Sequence, residues 1–548
     1  MDVPVPLSHK RWPYAVSGLL AAAAGAAAGH FVAAWVAPEA SPVLAVGSQV
    51  IDATPTPVKE WAVRTMGTAD KPILIGSVAV VTLALAAVAG LVSRRRPVAG
   101  RLLIVGLAAL AAAAAVLRPT AGQLDVVPGL VTGLVGVGVL GFLLNLMRRD
   151  EVRPHGDSTA DEPSRTHRIP PDGTQPTGVP AESPLDHNAR ATGEPTMTGR
   201  RGFLLGAGAT AVGAATVGGI GQRLLSDAVN PTSITLPGVE NPLPALPAGL
   251  EGRVPGITPW RTPPGEFYRI DTALVIPRID VKDWRLTIDG DVDSPFTIDF
   301  TELVSMGLIE KDITMCCVSN EVGGGYIGGA RWLGVPVREL LSRAGVRASA
   351  DQILSTSVDG MTISTPVQAL TDDRDALVAV GMNGGALPRR HGYPVRLVTP
   401  GLYGFVGSTK WLERLTATTY AAQKAYWTER DWAIDGRILT QSRIDTPRGL
   451  ARLKTGRNVI GGVAWAQGRG IQKVEIRVDN DPWQEATLGP DANIDYWRQW
   501  YFEWDAGQGR HELTVRATDL TGAVQTEART PPFPRGATGW HTIPVTVG

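Results

Sequence analysis

Thr314-Met315-Cys316-Cys317-Val318-Ser319-Asn320, followed by Gly323-Gly324-Gly325 and then Ala330-Arg331-Trp332-Leu333-Gly334-Val335-Pro336, is the stretch on which the reading of this chain turns. It holds both cysteines of a 548-residue sequence. A cysteine in apolar surroundings is ordinarily a small buried hydrophobe. The neighbours argue for more in this case. Asn320 and the glycines at 323 to 325 are poor core material, and they suit a loop whose backbone approaches a ligand closely. Two adjacent cysteines cannot staple distant parts of a fold, and they argue against a disulfide framework, an iron–sulfur site or a Cys-rich zinc site. No Cys-x-x-Cys-His occurs, so no haem is expected in this chain.

The segment resembles the molybdenum-binding loop of the sulfite oxidase family of molybdopterin enzymes. In that family one cysteine thiolate, in a Cys-x-Ser/Gly-Asn context, ligates the metal. Cys317-Val-Ser-Asn320 fits that register and Cys316 does not. A thiolate is a soft, strongly donating ligand, and a single one suits a molybdenum whose remaining sulfurs come from one cofactor dithiolene. Arg390-His391-Gly-Tyr-Pro-Val-Arg396 is similar to the family's Asp-His-Gly-Phe-Pro-Val-Arg segment, whose His and Arg hold the pterin. The resemblance thus makes His391 and Arg396 an anion clamp. Pro400-Gly401 and Ser408-Thr409-Lys410-Trp411 resemble the next loop, where backbone groups and a Lys before Trp bind the cofactor. Asp359 stands where the family has a pterin-binding Asp, and Asn320 belongs to the same set. Phe267-Tyr268-Arg269 resembles the family's Phe-x-Arg start of the pocket, and Arg269 matches the arginine that faces the metal.

Two departures stand out. Ile270 and Asp271 replace the Asn-His of sulfite oxidases. Trp432, in Glu429-Arg-Asp-Trp432, stands where those enzymes carry a catalytic Tyr. An indole donates a hydrogen bond but does not ionise as a phenol does. The resemblance therefore implies oxygen-atom transfer to or from a small oxyanion, S-oxide or N-oxide, without fixing sulfite as the substrate. The catalytic set it implies is Cys317, Arg269 and Trp432.

The chain is long enough for several domains. Four apolar runs, at 14–36, 73–92, 102–117 and 126–147, precede residue 150. Each approaches the ~20 residues that cross a bilayer as helix. Lys10-Arg11, Arg94-Arg95-Arg96 with Arg101, and Arg148-Arg149 all fall on one side after four crossings, so that side is expected to be cytoplasmic. The loop between the first two runs, with Trp61, then lies outside. His30 is the only histidine in the four runs, so they cannot build a bis-His haem. The expected organisation is a four-helix transmembrane unit (1–149) and a Pro-, Asp- and Thr-rich disordered linker (150–198). A signal-like fifth helix (199–225) and a Pro-rich tether (226–265) follow. In the fifth segment Thr198, Arg200, Arg201, Phe203 and Leu204 resemble a twin-arginine export signal. An ordinary fifth membrane helix gives the same topology.

Residues 266–430 alternate short strand-like and helical runs, an α+β pattern, as in Trp284–Gly290 and Val337–Ala344. Residues 431–548 read as all-β; Lys473–Asp479 and His511–Thr518 alternate cleanly, and the spacing suggests an immunoglobulin-like sandwich. That part resembles the dimerisation domain of the same family, so a homodimer is expected. Formal net charge is zero, which gives no reason to expect nucleic acid. The partners implied are a small-molecule substrate and an external electron carrier, a cytochrome or a quinone-linked protein. The competing classes are a metal-free membrane-tethered binding protein and a transporter or sensor. The apolar runs have almost no ionisable residues to mark a transport pathway.

Overall fold

The computed structural model describes residues 10–148, 199–226 and 234–548. The linker expected at 150–198 lies outside the described residues. Seven helices fill the N-terminal part: α1 (Trp12–Val36), α2 (Pro42–Ala53), α3 (Thr56–Met66), α4 (Asp70–Ser93), α5 (Pro97–Val116), α6 (Val127–Arg148) and α7 (Gly199–Ser226). Five of them, α1 and α4 to α7, are long and apolar enough to cross a bilayer. Pro13, Pro42, Pro97 and Pro128 occupy the first or second position of their helices, where a missing N–H costs nothing.

The described chain forms two compact units. The first comprises residues up to 43, 76–115, and the helical parts of 124–223. Its helices meet through small residues. A Cβ at Gly18 would collide with the Ala86 carbonyl, one at Gly90 with the Tyr14 carbonyl, and one at Gly25 with the Thr132 carbonyl. Such close approach lets the helix backbones pack at short range. Leu140, Leu143, Met147 and Phe203 fill the remaining core, with Phe203 edge-on to Trp12.

The second unit comprises residues 44–75, 116–123 and the chain from 224 onward. The segment between the first two apolar helices is therefore not a plain loop; it forms α2 and α3 and packs as part of this unit.

Within it, strands β1 (Arg285–Gly290), β2 (Phe296–Asp299), β3 (Ile309–Cys316), β4 (Ile327–Pro336), β5 (Gln352–Ser357), β6 (Thr362–Pro366), β7 (Leu377–Met382), β8 (Gly385–Ala386), β9 (Arg396–Val398) and β10 (Leu412–Thr418) form two sheets. One has the order β2-β1-β10-β5-β6; the other runs β3-β4-β7-β8, with β9 also on β7. Only β1 and β10 pair in parallel in these two sheets. Helices α8 (Phe300–Ser305) and α9 (Val337–Ala344) flank them. Gly345, in the left-handed region, ends α9. Leu286, Ile288, Leu340, Val378, Leu397 and Leu415 share one apolar core.

Two further sheets follow. One contains Gln441–Thr446, Gly456–Trp465, Arg498–Ala506 and Thr487–Leu488; the other is built on Ile471–Val478, Gly509–Asp519 and His541–Val547. Their inner faces share Ile460, Val474, Ile476, Trp500, Leu513 and Val515.

The Pro-rich segment departs from the expected extended spacer. From residue 234 it lies against the sheets. Arg331 donates to the carbonyls of Leu243 at 3.1 Å and Pro244 at 2.8 Å. The Leu250 N–H reaches Gln499 at 2.7 Å, and the Thr258 N–H reaches Asp445 at 2.9 Å. Val254, Ile257 and Trp260 are buried. Prolines keep the segment extended, but its apolar side chains gain more by leaving water.

Candidate active site

The site begins with the alternation of β3. Successive strand side chains point to opposite faces. Met315 and Cys317 face one cavity, while Cys316 enters a core with Trp260, Tyr403, Val463 and Trp465. Cys317 is the first residue beyond the strand. Its N–H donates to the Tyr326 carbonyl at 2.9 Å, and its carbonyl accepts from the Asn320 N–H at 3.0 Å. Asn320 Oδ1 in turn accepts the Tyr326 N–H at 2.8 Å. Gly323 has φ +80°, and a side chain there would strike His541. The loop is thus tied across its base and tight at its tip.

Phe267, Tyr268, Asp271, Cys317, Asp359, His391, Arg396, Ser408, Thr409, Lys410, Trp427 and Trp432 line the cavity. Most of the residues singled out from sequence therefore converge there. Two do not line it. Asn320 braces the loop. Arg269 stands behind Asp271, with Nε 2.8 Å and Nη2 3.0 Å from that carboxylate.

Charge is concentrated at one end. Lys410 Nζ and Asp271 Oδ2 are 2.5 Å apart. Burial alone would raise the Asp271 carboxyl, but Lys410, Lys71 and Arg269 hold it well below the usual carboxylate range. Burial pushes Lys410 down to about 8, partly opposed by Asp271. Arg396 is fully enclosed; burial lowers it to about 10. Its Nη1 donates to the His391 carbonyl at 3.0 Å and its Nη2 to Ser408 Oγ at 2.5 Å. The Ser408 hydroxyl donates in turn to the Leu397 carbonyl at 2.8 Å. Thr409 and Ser355 hydroxyls lie 2.6 Å apart. Burial raises the Asp359 carboxyl, against hydrogen bonds from Ser357 and the Met361 N–H.

His391 lines the cavity with Arg396. Its Nε2–H donates to the Pro264 carbonyl at 2.8 Å and its ring lies edge-on to Phe267. Burial drives it down to about 3, so the imidazole is neutral. The positive charge of the site belongs to Arg396, Lys410 and, through Asp271, Arg269. Burial raises the Cys317 thiol, opposed by Ser319 and Lys410. Burial and the Cys317 sulfur likewise keep the Tyr268 phenol protonated.

Trp432 packs among Phe405, Trp427 and Phe533 with ring centroids 5.5, 6.1 and 5.2 Å away. Its indole N–H, and the Arg396 Nε–H, are buried with no hydrogen-bond partner among the described residues. Buried donors without acceptors are costly. A cavity lined by such donors and by the two cations Arg396 and Lys410 fits an acceptor-rich, anionic occupant with a metal at the sulfur, as a phosphate-bearing molybdopterin is.

Sequence reasoning noted Asp271 only as a departure and missed Lys71. Two cations near one carboxylate, Arg269 and Lys410, were a usable signal for Asp271. Lys71 lies 200 positions away in sequence and carried none.

A cysteine sulfur presented beside buried cations and aromatic rings fits a molybdopterin-binding oxidoreductase domain, and residues 273–427 match the family described as "Oxidoreductase molybdopterin binding domain". The chain is similar to the sulfite oxidase family of molybdopterin oxidoreductases. It is 26% identical over 336 residues to "Sulfite oxidase, mitochondrial" of Mus musculus, covering 52% of this chain and 61% of that protein. It is 27% identical over 330 residues to "Sulfite oxidase" of Gallus gallus, covering 51% and 72%. "Nitrate reductase [NADH]" of Solanum lycopersicum matches at 25% over 319 residues, 46% of this chain and 35% of that one. The chain thus spans about three-fifths of the length of the mouse relative. Among solved structures, sulfane dehydrogenase SoxCD from Paracoccus pantotrophus aligns at 25% identity over 52% of this chain and 80% of its own, with a TM-score of 0.45.

Proposed function

We propose that this protein is a membrane-anchored molybdenum-cofactor oxidoreductase that works outside the cytoplasm and transfers an oxygen atom, with two electrons, to or from a small oxyanion or an S- or N-oxide. The observation that carries the reading is the convergence of Cys317, Arg396, Lys410 and Trp432 on one cavity. Molybdenum held by Cys317 and one dithiolene would supply the two-electron couple. The residues do the rest. Arg396 and Lys410, both largely buried, attract an anion to the cavity, where each charge acts more strongly than in bulk water. Trp432 presents its unpartnered N–H to an oxygen acceptor. Ser408 and Thr409 keep Arg396 and the Lys410 backbone in place.

For an oxyanion substrate the balance is one oxygen gained from water, two protons released and two electrons passed to an external carrier. An S-oxide or N-oxide runs the balance in reverse. A docked cytochrome or a quinone-linked protein is the carrier class that suits a chain of this kind.

Location rests on charge and connectivity. The arginine clusters fall at one end of the apolar helices, which marks the cytoplasmic side. The opposite ends, at 44–75 and 116–123, belong to the same compact unit as the catalytic domain. Thr198, Arg200 and Arg201 read as a twin-arginine export signal, a route that carries folded, cofactor-loaded domains. The two C-terminal sheets read as an immunoglobulin-like sandwich of dimerisation type.

Sulfite oxidation itself is the second reading, and one observation favours it: Tyr268 brings a phenol to the cavity that Trp432 no longer supplies. Elemental analysis and pterin fluorescence of the full-length protein test the class. Turnover of sulfite with ferricyanide, against turnover of dimethyl sulfoxide or trimethylamine N-oxide with a reduced viologen, separates the directions. Protein without molybdenum and without pterin would sink the enzymatic reading in favour of a binding protein.

A further inference from the structure

Lys71 stands in the first turn of α4, beside Asp70, whose carboxylate accepts the Lys71 N–H at 2.7 Å. Its ammonium lies 2.5 Å from Asp271 Oδ1 and donates to the Ala273 carbonyl at 2.8 Å. Asp271 is nearly buried, with a side chain 7% exposed, and it lines the Cys317 cavity. Its second oxygen takes Lys410, and Arg269 reaches both. Three cations share one carboxylate, and one of them, Lys410, lines the cavity together with Arg396. Around these four cations, Lys71, Arg269, Lys410 and Arg396, stand three carboxylates, Asp271 and Asp359 on the cavity wall and Asp70 beside Lys71. Buried cations in excess need a counter-charge.

The chain before Lys71 is seated on the same unit. Lys59 Nζ donates to the Tyr426 hydroxyl at 3.1 Å, and that hydroxyl donates to Asp52 at 3.2 Å. Tyr426 adjoins Trp427, which lines the cavity.

We propose that the first turn of α4 backs the catalytic cavity from behind Asp271, and that Lys71 is a positioning residue that sets Asp271, Arg269 and Lys410 to receive a phosphate-like oxyanion. The proposal deepens the reading above and rests on it. Lys71 acts through Asp271. With its ammonium gone, Asp271 Oδ1 keeps only Arg269, the carboxylate swings toward Lys410, and the cation that faces the cavity is neutralised. The oxyanion has two possible sources, the phosphate of the cofactor and an oxyanion substrate.

The test uses full-length protein in detergent, as wild type, K71M, K71R and K59M. Molybdenum and pterin per chain are measured, together with the affinity for inorganic sulfate by calorimetry. If the cofactor phosphate is the anion, K71M loses molybdenum and pterin together and K71R restores them. If the anion is a substrate, K71M keeps both and binds sulfate about tenfold more weakly, about 1.4 kcal/mol, with K71R close to wild type. K59M, which disturbs the seat of the segment without touching the charge cluster, should match wild type in both. Wild-type values for K71M in both measurements overturn the proposal, as does a K59M variant indistinguishable from a defective K71M. A wild-type protein devoid of molybdenum and pterin defeats the enzymatic reading alone. The sulfate comparison then still decides the role of Lys71, and sulfate that binds neither wild type nor K71M decides against it.

Discussion

Two neighbouring sulfurs have opposite fates because a strand turns its side chains alternately. Cys317 joins Met315 on the cavity side; Cys316 is packed against Trp260 and Trp465. Replacing Cys317 with Ser should abolish molybdenum binding and leave the fold intact, as elemental analysis and thermal unfolding will report. Replacing Cys316 with Ser should retain the metal and cost about 1–3 kcal/mol, since a hydroxyl is buried among rings; denaturant titration measures it. Lys410 gives a pH signature. Burial lowers it to about 8, so it is charged below that pH and loses its proton as pH rises through it. Affinity for an oxyanion should fall above about pH 8, approaching tenfold per unit, and Lys410→Gln should flatten the profile. The sulfur was legible in the sequence through Cys317-Val-Ser-Asn320. The protonation of His391 was not, because a carbonyl donated by Pro264 and a wall formed by Phe267 exist only after folding.

The hairpin of β3 and β4 is the element that fixes where the sulfur sits. Its loop is held by Asn320, whose side chain accepts from Tyr326, and by Gly323 in the left-handed region. Asn320→Ala strands a backbone N–H and should cost about 1–3 kcal/mol. Molybdenum content should fall with it although Cys317 is untouched, which separates loop geometry from ligation. Strand β1 and helix α9 were readable from alternation and helical spacing. Helices α2 and α3 were not. Their apolar faces are short, and they are partnered by residues more than two hundred positions away, such as Leu274 against Gly47. Composition registers long apolar runs well, and it says little about brief helices that depend on distant contacts.

For the whole molecule the sequence-level signal is topological. Apolar length gives the helices and arginine placement the sense proposed for them, whereas which loops join the catalytic unit depends on contacts that local pattern does not encode. The proposed arrangement is checked by single cysteines and a membrane-impermeant maleimide on intact cells. Gly507→Cys should react above the wild-type background, and Ser158→Cys should react only after the membrane is opened. The reverse pattern would invert the molecule.

The Pro-rich stretch from 234 carries a practical corollary. Because it runs over both sheet systems and lodges Trp260 between them, it behaves as a seam rather than a leash. A shortened chain that starts at the first strand would open that seam, bare a tryptophan-lined cleft to water, and come apart or clump; one that starts near Ile234 would keep its edges sewn.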